Sequence, residues 1–181
     1  TGGAGGLGLL TARWLAQQGA DALKLVSRGG MLTEEARGEW TQLCESSATA
    51  SLARCDVAEL VDVRQLSLMM HAAEQGVVGI WHAAGVLVDG LLGSQAASKL
   101  RRVFSPKAHG AGLLLGAAAA RTKLCASVLF SSAASLLGNA GQANYSAANA
   151  CLDAFATYGR TQGCTAVSVQ WAGWKELGMG A

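Results

Sequence analysis

The first eight residues, Thr1-Gly-Gly-Ala-Gly-Gly-Leu-Gly8, restrict what can follow them. A run so rich in glycine does not continue as strand or helix, so the chain must turn sharply there. Directly after the turn, Leu7, Leu10, Trp14 and Leu15 recur at helical spacing, and Gly19 ends that helix. A glycine turn that opens a helix gathers backbone N–H groups at the positive end of the helix dipole, with no side chain in the way. The rest of the chain alternates short β-rich runs with longer helical ones. Strands are predicted over Leu23–Ser27, Ala50–Cys55, Val77–His82, Leu124–Ser131 and Ala166–Trp171. Helices are predicted from a Thr33 cap to about Glu45, with Glu34 and Glu35 in the first turn, then over Glu59–Gln75 and Gln142–Gln162. A loop runs from His82 through Asp89, and one long helix spans Ala96–Ala120 with a break at Pro106. Such alternation implies parallel βαβ units with right-handed crossovers. The predicted fold is α/β, a doubly wound parallel sheet in three αβα layers.

The chain has 181 residues, the size of one domain, so a single domain over 1–181 is expected. Hydrophobic residues at 51% supply a core. A net charge of +2 is too small for a nucleic-acid or membrane surface, and neither partner is expected. Cys44, Cys55, Cys125, Cys151 and Cys164 show no CxxC or Cys/His ligand spacing. They read as reduced, mostly buried thiols in a cytoplasmic setting, and no metal is expected. The apolar stretch around Gly110–Ala120 is too short to span a bilayer, and no secretory leader is expected. The chain starts at Thr1 without a methionine, which suggests an excerpt. In a dinucleotide-binding fold the glycine turn follows the first strand, which lies mid-sheet in the order 3-2-1-4-5-6. That strand is expected to be missing, leaving unpaired backbone groups that cost on the order of 1–3 kcal/mol each. Residues 1–181 alone are therefore expected to be poorly stable.

Thr1, Gly2, Gly3, Gly5, Gly6, Leu7 and Gly8 form a candidate cradle for a pyrophosphate. Nineteen residues beyond Gly8, at the end of the next predicted strand, stand Ser27 and Arg28. NAD enzymes favour a carboxylate here for the ribose 2′-hydroxyl. An arginine pairs instead with the 2′-phosphate of NADP, so the cofactor reads as NADPH unless Arg28 is only a surface loop residue. Cys55-Asp56-Val57 ends the third strand, where the Asp56 carboxylate could accept from an adenine amino group or cap the following helix. His82-Ala83-Ala84-Gly85 ends the fourth strand, and its small residues would let a cofactor ribose lie close. His82 itself reads more readily as a packed or hydrogen-bonded residue than as a catalyst.

Ser132 follows Val128-Leu-Phe-Ser131 at the carboxyl edge of the sheet, where ligands bind. Tyr145 lies thirteen residues later. A serine hydroxyl can hold a carbonyl oxygen while a tyrosine holds it and delivers a proton. A phenol with a pKa near ~10 releases its proton too reluctantly at neutral pH, and a nearby ammonium would favour the phenolate. The commoner form of such a site has a lysine four residues after the tyrosine, but Asn149 stands there. Lys99, Lys107 and Lys123 are the candidates from elsewhere. Lys99 has Arg101 and Arg102 beside it, on a wet face. Lys107 lies among small residues, and Gly110, Ala111 and Gly112 would let its helix pack closely against the sheet, so it is better placed to point inward.

In order, the chain carries Thr-Gly-Gly-x-Gly-Gly-Leu-Gly, Ser-Arg, Cys-Asp-Val, His-Ala-Ala-Gly-Val, Pro-Lys-x-x-Gly-Ala, Leu-Phe-Ser-Ser, Gly-Gln-Ala-Asn-Tyr-x-Ala-Ala-Asn and Trp-x-x-Trp. Over nearly its whole length it resembles the ketoreductase domain of type I modular polyketide synthases, in the short-chain dehydrogenase/reductase superfamily. The resemblance implies a Rossmann-type fold. It also implies that lysine and asparagine exchange places relative to other short-chain dehydrogenases. Lys107 would then join Ser132, Tyr145 and Asn149, hold the nicotinamide ribose and depress the Tyr145 pKa. The implied reaction is NADPH-dependent reduction of a β-ketoacyl thioester carried by an acyl carrier protein, beside other domains of the same synthase. A fatty acid synthase or free-standing reductase is the alternative, and a non-catalytic scaffold domain a second one.

Three departures stand out. The family closes with Trp-Gly-Pro-Trp, where this chain has Trp171-Ala-Gly-Trp174. The family's substrate lid would follow Gly178, and its structural half would precede Thr1; neither is expected here. Members forming the D-hydroxyl carry Leu-Asp-Asp after the fourth strand, and Leu87-Val-Asp89 keeps the last aspartate. The opposite class has a tryptophan eight residues before the tyrosine, where Leu137 stands. Asp89 and Leu137 thus point to a D-hydroxyl, B-type enzyme, unless Asp89 is only a solvated loop carboxylate.

Overall fold

The computed structural model describes residues 1–71, 76–119 and 124–173. They form two compact units, one built on Thr1–Asp56 and the other on Val57–Ala172.

In the first unit the glycine turn opens α1 (Gly6–Gln17), which leads into β1 (Ala22–Ser27), α2 (Arg37–Cys44) and β2 (Thr49–Arg54). β1 and β2 are parallel, with Leu25 opposite Leu52. Gly3 N–H donates to the Val26 carbonyl at 3.0 Å, so the glycine turn is tied to β1. A Cβ on Gly8 would lie 2.3 Å from the Gly2 carbonyl oxygen, so only glycine closes this turn. The core is Leu9, Ala12, Ala16, Leu25 and Leu43. Trp14, expected on the inner face of α1, is exposed; the buried face is Leu9, Ala12 and Ala16. Small alanines let α1 approach its neighbours, and the bulky ring is left at the rim. Thr33 does not cap α2. Two three-residue bonds, Ala36 N–H to Thr33 O and Arg37 N–H to Glu34 O, form a tight turn first, and the helix starts at Arg37.

The second unit runs α3 (Leu60–His71), β3 (Gly79–His82), a 3₁₀ turn (Leu92–Ser94), α4 (Ala97–Phe104), a π turn (Ser105–His109) and α5 (Gly110–Ala119). It continues through β4 (Ala126–Ser132), α6 (Ala134–Leu137), α7 (Ala143–Thr161) and β5 (Ala166–Trp171). The sheet order is β3-β4-β5, all parallel, with His82 opposite Leu129 and Ser132 opposite Trp171. Ala111, Leu129, Leu152, Ala156 and Ala166 form its core. The expected break at Pro106 is a one-residue slip to π bonding rather than an end to the helix. Pro106 has no N–H to give the turn before it.

A Cβ on Gly110 would lie 2.8 Å from Val57 Cγ2, a close approach to the segment after β2. Gly112 is exposed and needs no such space, contrary to expectation. α6 and the 3₁₀ turn are too short for periodicity to reveal. None of the five cysteines forms a disulfide, but Cys44, Cys125 and Cys164 are exposed, against the expectation of mostly buried thiols. They sit where elements begin or end, at the surface. No helix among the described residues is long and apolar enough to cross a membrane. The helix ends expected at Gln75 and Ala120 lie outside the described residues, as do Lys123, Trp174 and everything after Trp174.

Candidate active site

β4 delivers Ser131 and Ser132 to the carboxyl edge of its sheet, and the single turn α6 follows at once. The Ser132 hydroxyl accepts from Ala134 N–H at 3.2 Å, which fixes the bend. α7 then returns over β4. Tyr145, Asn149 and Asp153 lie at successive four-residue steps, so they share one face of that helix. Asn149 is fully buried and donates to the Tyr145 carbonyl at 2.8 Å. Ser131 donates to the Asn149 carbonyl at 3.3 Å, joining β4 to α7. The Asn149 Oδ1 is buried without a partner among the described residues. Leaving such an acceptor dry costs on the order of 1–3 kcal/mol, and such groups cluster where function needs them.

Lys107 arrives from the π turn. It is 2% exposed, despite carrying an ammonium. Its Nζ donates to the Phe130 carbonyl at 2.9 Å and lies 5.2 Å from the centre of the Tyr145 ring. Burial holds its pKa at about 8 against an ordinary 10.5, and the Asp153 carboxylate pulls it back upward. At neutral pH the group is therefore mainly an ammonium over a ring face, a favourable pairing.

The Tyr145 phenol departs from expectation. Burial raises its pKa, and the Asn149 and Ser132 side chains, which favour the phenolate, only oppose this. The ammonium of Lys107 sits over the ring and is engaged by Phe130 O, so it is not a leading influence on the phenol. The proton is thus held on Tyr145 at neutral pH.

Asp153 was not anticipated. It accepts from Ser135 Oγ at 2.7 Å, from Gln170 Nε2 at 3.0 Å and, very closely, from Ser168. Ser135 also reaches the Ser132 carbonyl at 2.8 Å, so Asp153 bolts the Ser132 turn to α7 and β5. The signal for it was available: Asp153 continues the four-residue step of Tyr145 and Asn149. Two further ties shape the rim. Asn144 donates to Val88 O at 2.8 Å, and Gly90 N–H donates to Gly141 O at 2.8 Å. Asp89 is exposed and accepts from Gln142 at 3.2 Å, while Leu137 is 80% exposed at the end of α6. The His82 ring turns inward to the Lys107 carbonyl, and Ala83, Ala84 and Gly85 continue as loop.

Within the first unit, α1 has no side-chain cap and no carboxylate in its first turn, as an anion site requires. Arg28 is exposed at the end of β1, and it forms no ion pair among the described residues. Ser27 accepts from Gly30 N–H at 3.1 Å. Cys55 is buried, as is Val57 at the start of the second unit, and Asp56 lies four residues ahead of α3 in sequence, so it is not that helix's cap.

The sequence model of the KR domain family matches residues 1–176. Polyketide synthase GfsA of Streptomyces halstedii is 42% identical over 180 residues, covering 99% of this chain and 2% of that protein. Two solved structures superpose closely. PlmKR1, the ketoreductase from the first module of phoslactomycin biosynthesis in Streptomyces sp. HK803, has a TM-score of 0.91 at 39% identity. It covers 98% of this chain and 41% of that one. An A-type ketoreductase from a modular polyketide synthase has a TM-score of 0.90 at 36% identity, covering 98% of this chain and 37% of that one. The chain therefore spans well under half the length of these relatives. It belongs to the ketoreductase (KR) domain family found in modular polyketide synthases.

Proposed function

We propose that this chain is an NADPH-dependent β-ketoacyl reductase. Its substrate would be a β-ketoacyl thioester on the phosphopantetheine arm of an acyl carrier protein, and its partners the other domains of one synthase. The observation that carries this reading is the inward Lys107, 2.9 Å from Phe130 O and 5.2 Å from the Tyr145 ring, on the same site as Asn149.

The residues present suit the cofactor. In the first unit the uncapped start of α1 and the glycine turn offer backbone N–H groups to a pyrophosphate. Thr1, Gly2, Gly3, Gly5, Gly6, Leu7 and Gly8 are assigned there, with Ser27 and Arg28 to a 2′-phosphate and Cys55, Asp56 and Val57 to the adenine side. In the second unit Lys107 and Tyr145 are assigned to the nicotinamide ribose, beside His82, Ala83, Ala84 and Gly85. When bound, the cofactor supplies a hydride to the β-carbon. Ser132 would hold the ketone oxygen. Tyr145 would donate its proton to that oxygen as negative charge develops. Burial keeps the proton on the phenol until then, and the Lys107 ammonium, 5.2 Å from the ring, would stabilise the phenolate only as it forms. Asn149 would fix the helix turn that presents Tyr145. Asp89 and Leu137, at the rim, are assigned to orienting the acyl chain for the D-hydroxyl, B-type product.

The test is NADPH oxidation with a β-ketoacyl thioester surrogate in the full-length protein. Tyr145→Phe should lower the rate by at least ~10²-fold, the scale of lost general-acid catalysis. A mutant near the wild-type rate would sink the assignment. Chiral analysis of the product decides the stereochemical part, and an L-hydroxyl product would overturn it.

A further inference from the structure

His82 is a buried ionisable side chain for which this mechanism has no step. It ends β3, is 1% exposed, and places Nε2 3.1 Å from the Lys107 carbonyl oxygen. A carbonyl only accepts, so Nε2 carries the hydrogen. Burial, the largest influence, holds the imidazole pKa at about 3, so the ring is neutral wherever the protein works. The contact is a fixed donor, not a pH switch.

The carbonyl it holds belongs to the π turn Ser105–His109, where Gly110 N–H reaches back five residues to Ser105 O and also faces the Lys107 carbonyl. π turns are rare and occur mostly as single insertions at functional sites. Each residue of helix advances about 100° around the axis, so a one-residue slip re-aims a side chain by roughly that angle. The register of this turn therefore decides whether the Lys107 ammonium faces Tyr145. Two neighbouring strands grip this one residue. β3 holds its backbone through His82, and β4 receives its ammonium through Phe130 O, one residue beyond the position opposite His82.

We propose that His82 is a positioning residue: its Nε2–H latches the π turn in the register that points Lys107 at the Tyr145 ring. The inference rests on the catalytic reading of Lys107, and the test separates the two. In the full-length protein His82 is replaced by Gln, whose amide N–H reaches about as far as Nε2, and by Asn, whose identical amide falls one bond short. Acetylation of Lys107 by a water-soluble acylating reagent is followed by mass spectrometry, alongside kcat and KM for NADPH. His82→Asn should expose Lys107 to the reagent about tenfold faster than wild type, the opening expected from losing one hydrogen bond. His82→Gln should stay closer to wild type, and kcat/KM should fall in the order Gln, then Asn. Should the Asn variant fail to fold, Gln still decides, because a folded Gln variant with Lys107 fully reactive overturns the latch. Equal Lys107 reactivity in all three proteins also overturns it. Faster acetylation with unchanged kinetics would uphold the latch and refute the catalytic reading of Lys107 instead.

Discussion

Replacing Lys107 by methionine should make the protein more stable and less active. The ammonium is 2% exposed, and burial holds its pKa at about 8 rather than 10.5. At about 1.4 kcal/mol for each tenfold change, that depression corresponds to about 3 kcal/mol of stability lost whenever the group is charged. The sign follows from proton linkage. The folded state releases this proton more readily than the unfolded chain, so the penalty is fully present below pH 8 and fades as pH rises toward 10.5. Methionine fills similar volume without charge, and the lost bond to Phe130 O returns about 1 kcal/mol. A net gain of about 2 kcal/mol is expected at pH 7. Urea denaturation of both proteins at pH 7 and at pH 10.5 measures it. The advantage of the variant should shrink at the higher pH. A variant less stable than wild type at pH 7, with the same pH dependence, would refute the reasoning.

Gly110→Ala should destabilise the fold by about 1 kcal/mol, because a Cβ 2.8 Å from Val57 Cγ2 costs more than the helix propensity it gains; a higher urea midpoint would contradict this. Asp153→Asn removes the carboxylate that supports the Lys107 charge, leaving His82 and Tyr145, neither anionic at neutral pH, as its other ionisable neighbours. The alkaline limb of the kcat/KM profile should move to lower pH, and an unmoved limb would remove Asp153 from that role. Arg28→Ala should erode the preference for NADPH over NADH in the kcat/KM ratio, and an unchanged ratio would end its assignment to the 2′-phosphate.

Much of the fold was legible because parallel βαβ units leave strong periodic traces. The strands β1 to β5 and the helix carrying Tyr145 all fall within a few residues of where the apolar pattern puts them. What stayed hidden is local. α6 spans only Ala134–Leu137 and shows no period of its own. The π turn looks in sequence like an ordinary proline position, because its register is set by contacts from β3 and β4. Trp14 misled because it falls at helical spacing with Leu7, Leu10 and Leu15, whereas close packing selected Ala12 and Ala16 for the buried face. At the site, Ser132, Tyr145 and Asn149 were readable from spacing on one helix and one strand end. Lys107 was singled out by its small neighbours and by the resemblance, and its reach could only come from tertiary structure. That the Tyr145 pKa rises rather than falls was not readable, since burial of the phenol is a property of the packed site.

The exchange of lysine and asparagine is tested most directly by the rate at which Lys107→Asn oxidises NADPH with a β-ketoacyl thioester. If Lys107 supplies from the π turn the charge that Asn149 lacks, the rate should fall by at least ~10²-fold, the scale of an impaired proton-transfer step. A variant reducing the thioester at the wild-type rate would show that the ammonium 5.2 Å from the Tyr145 ring has no part in the chemistry.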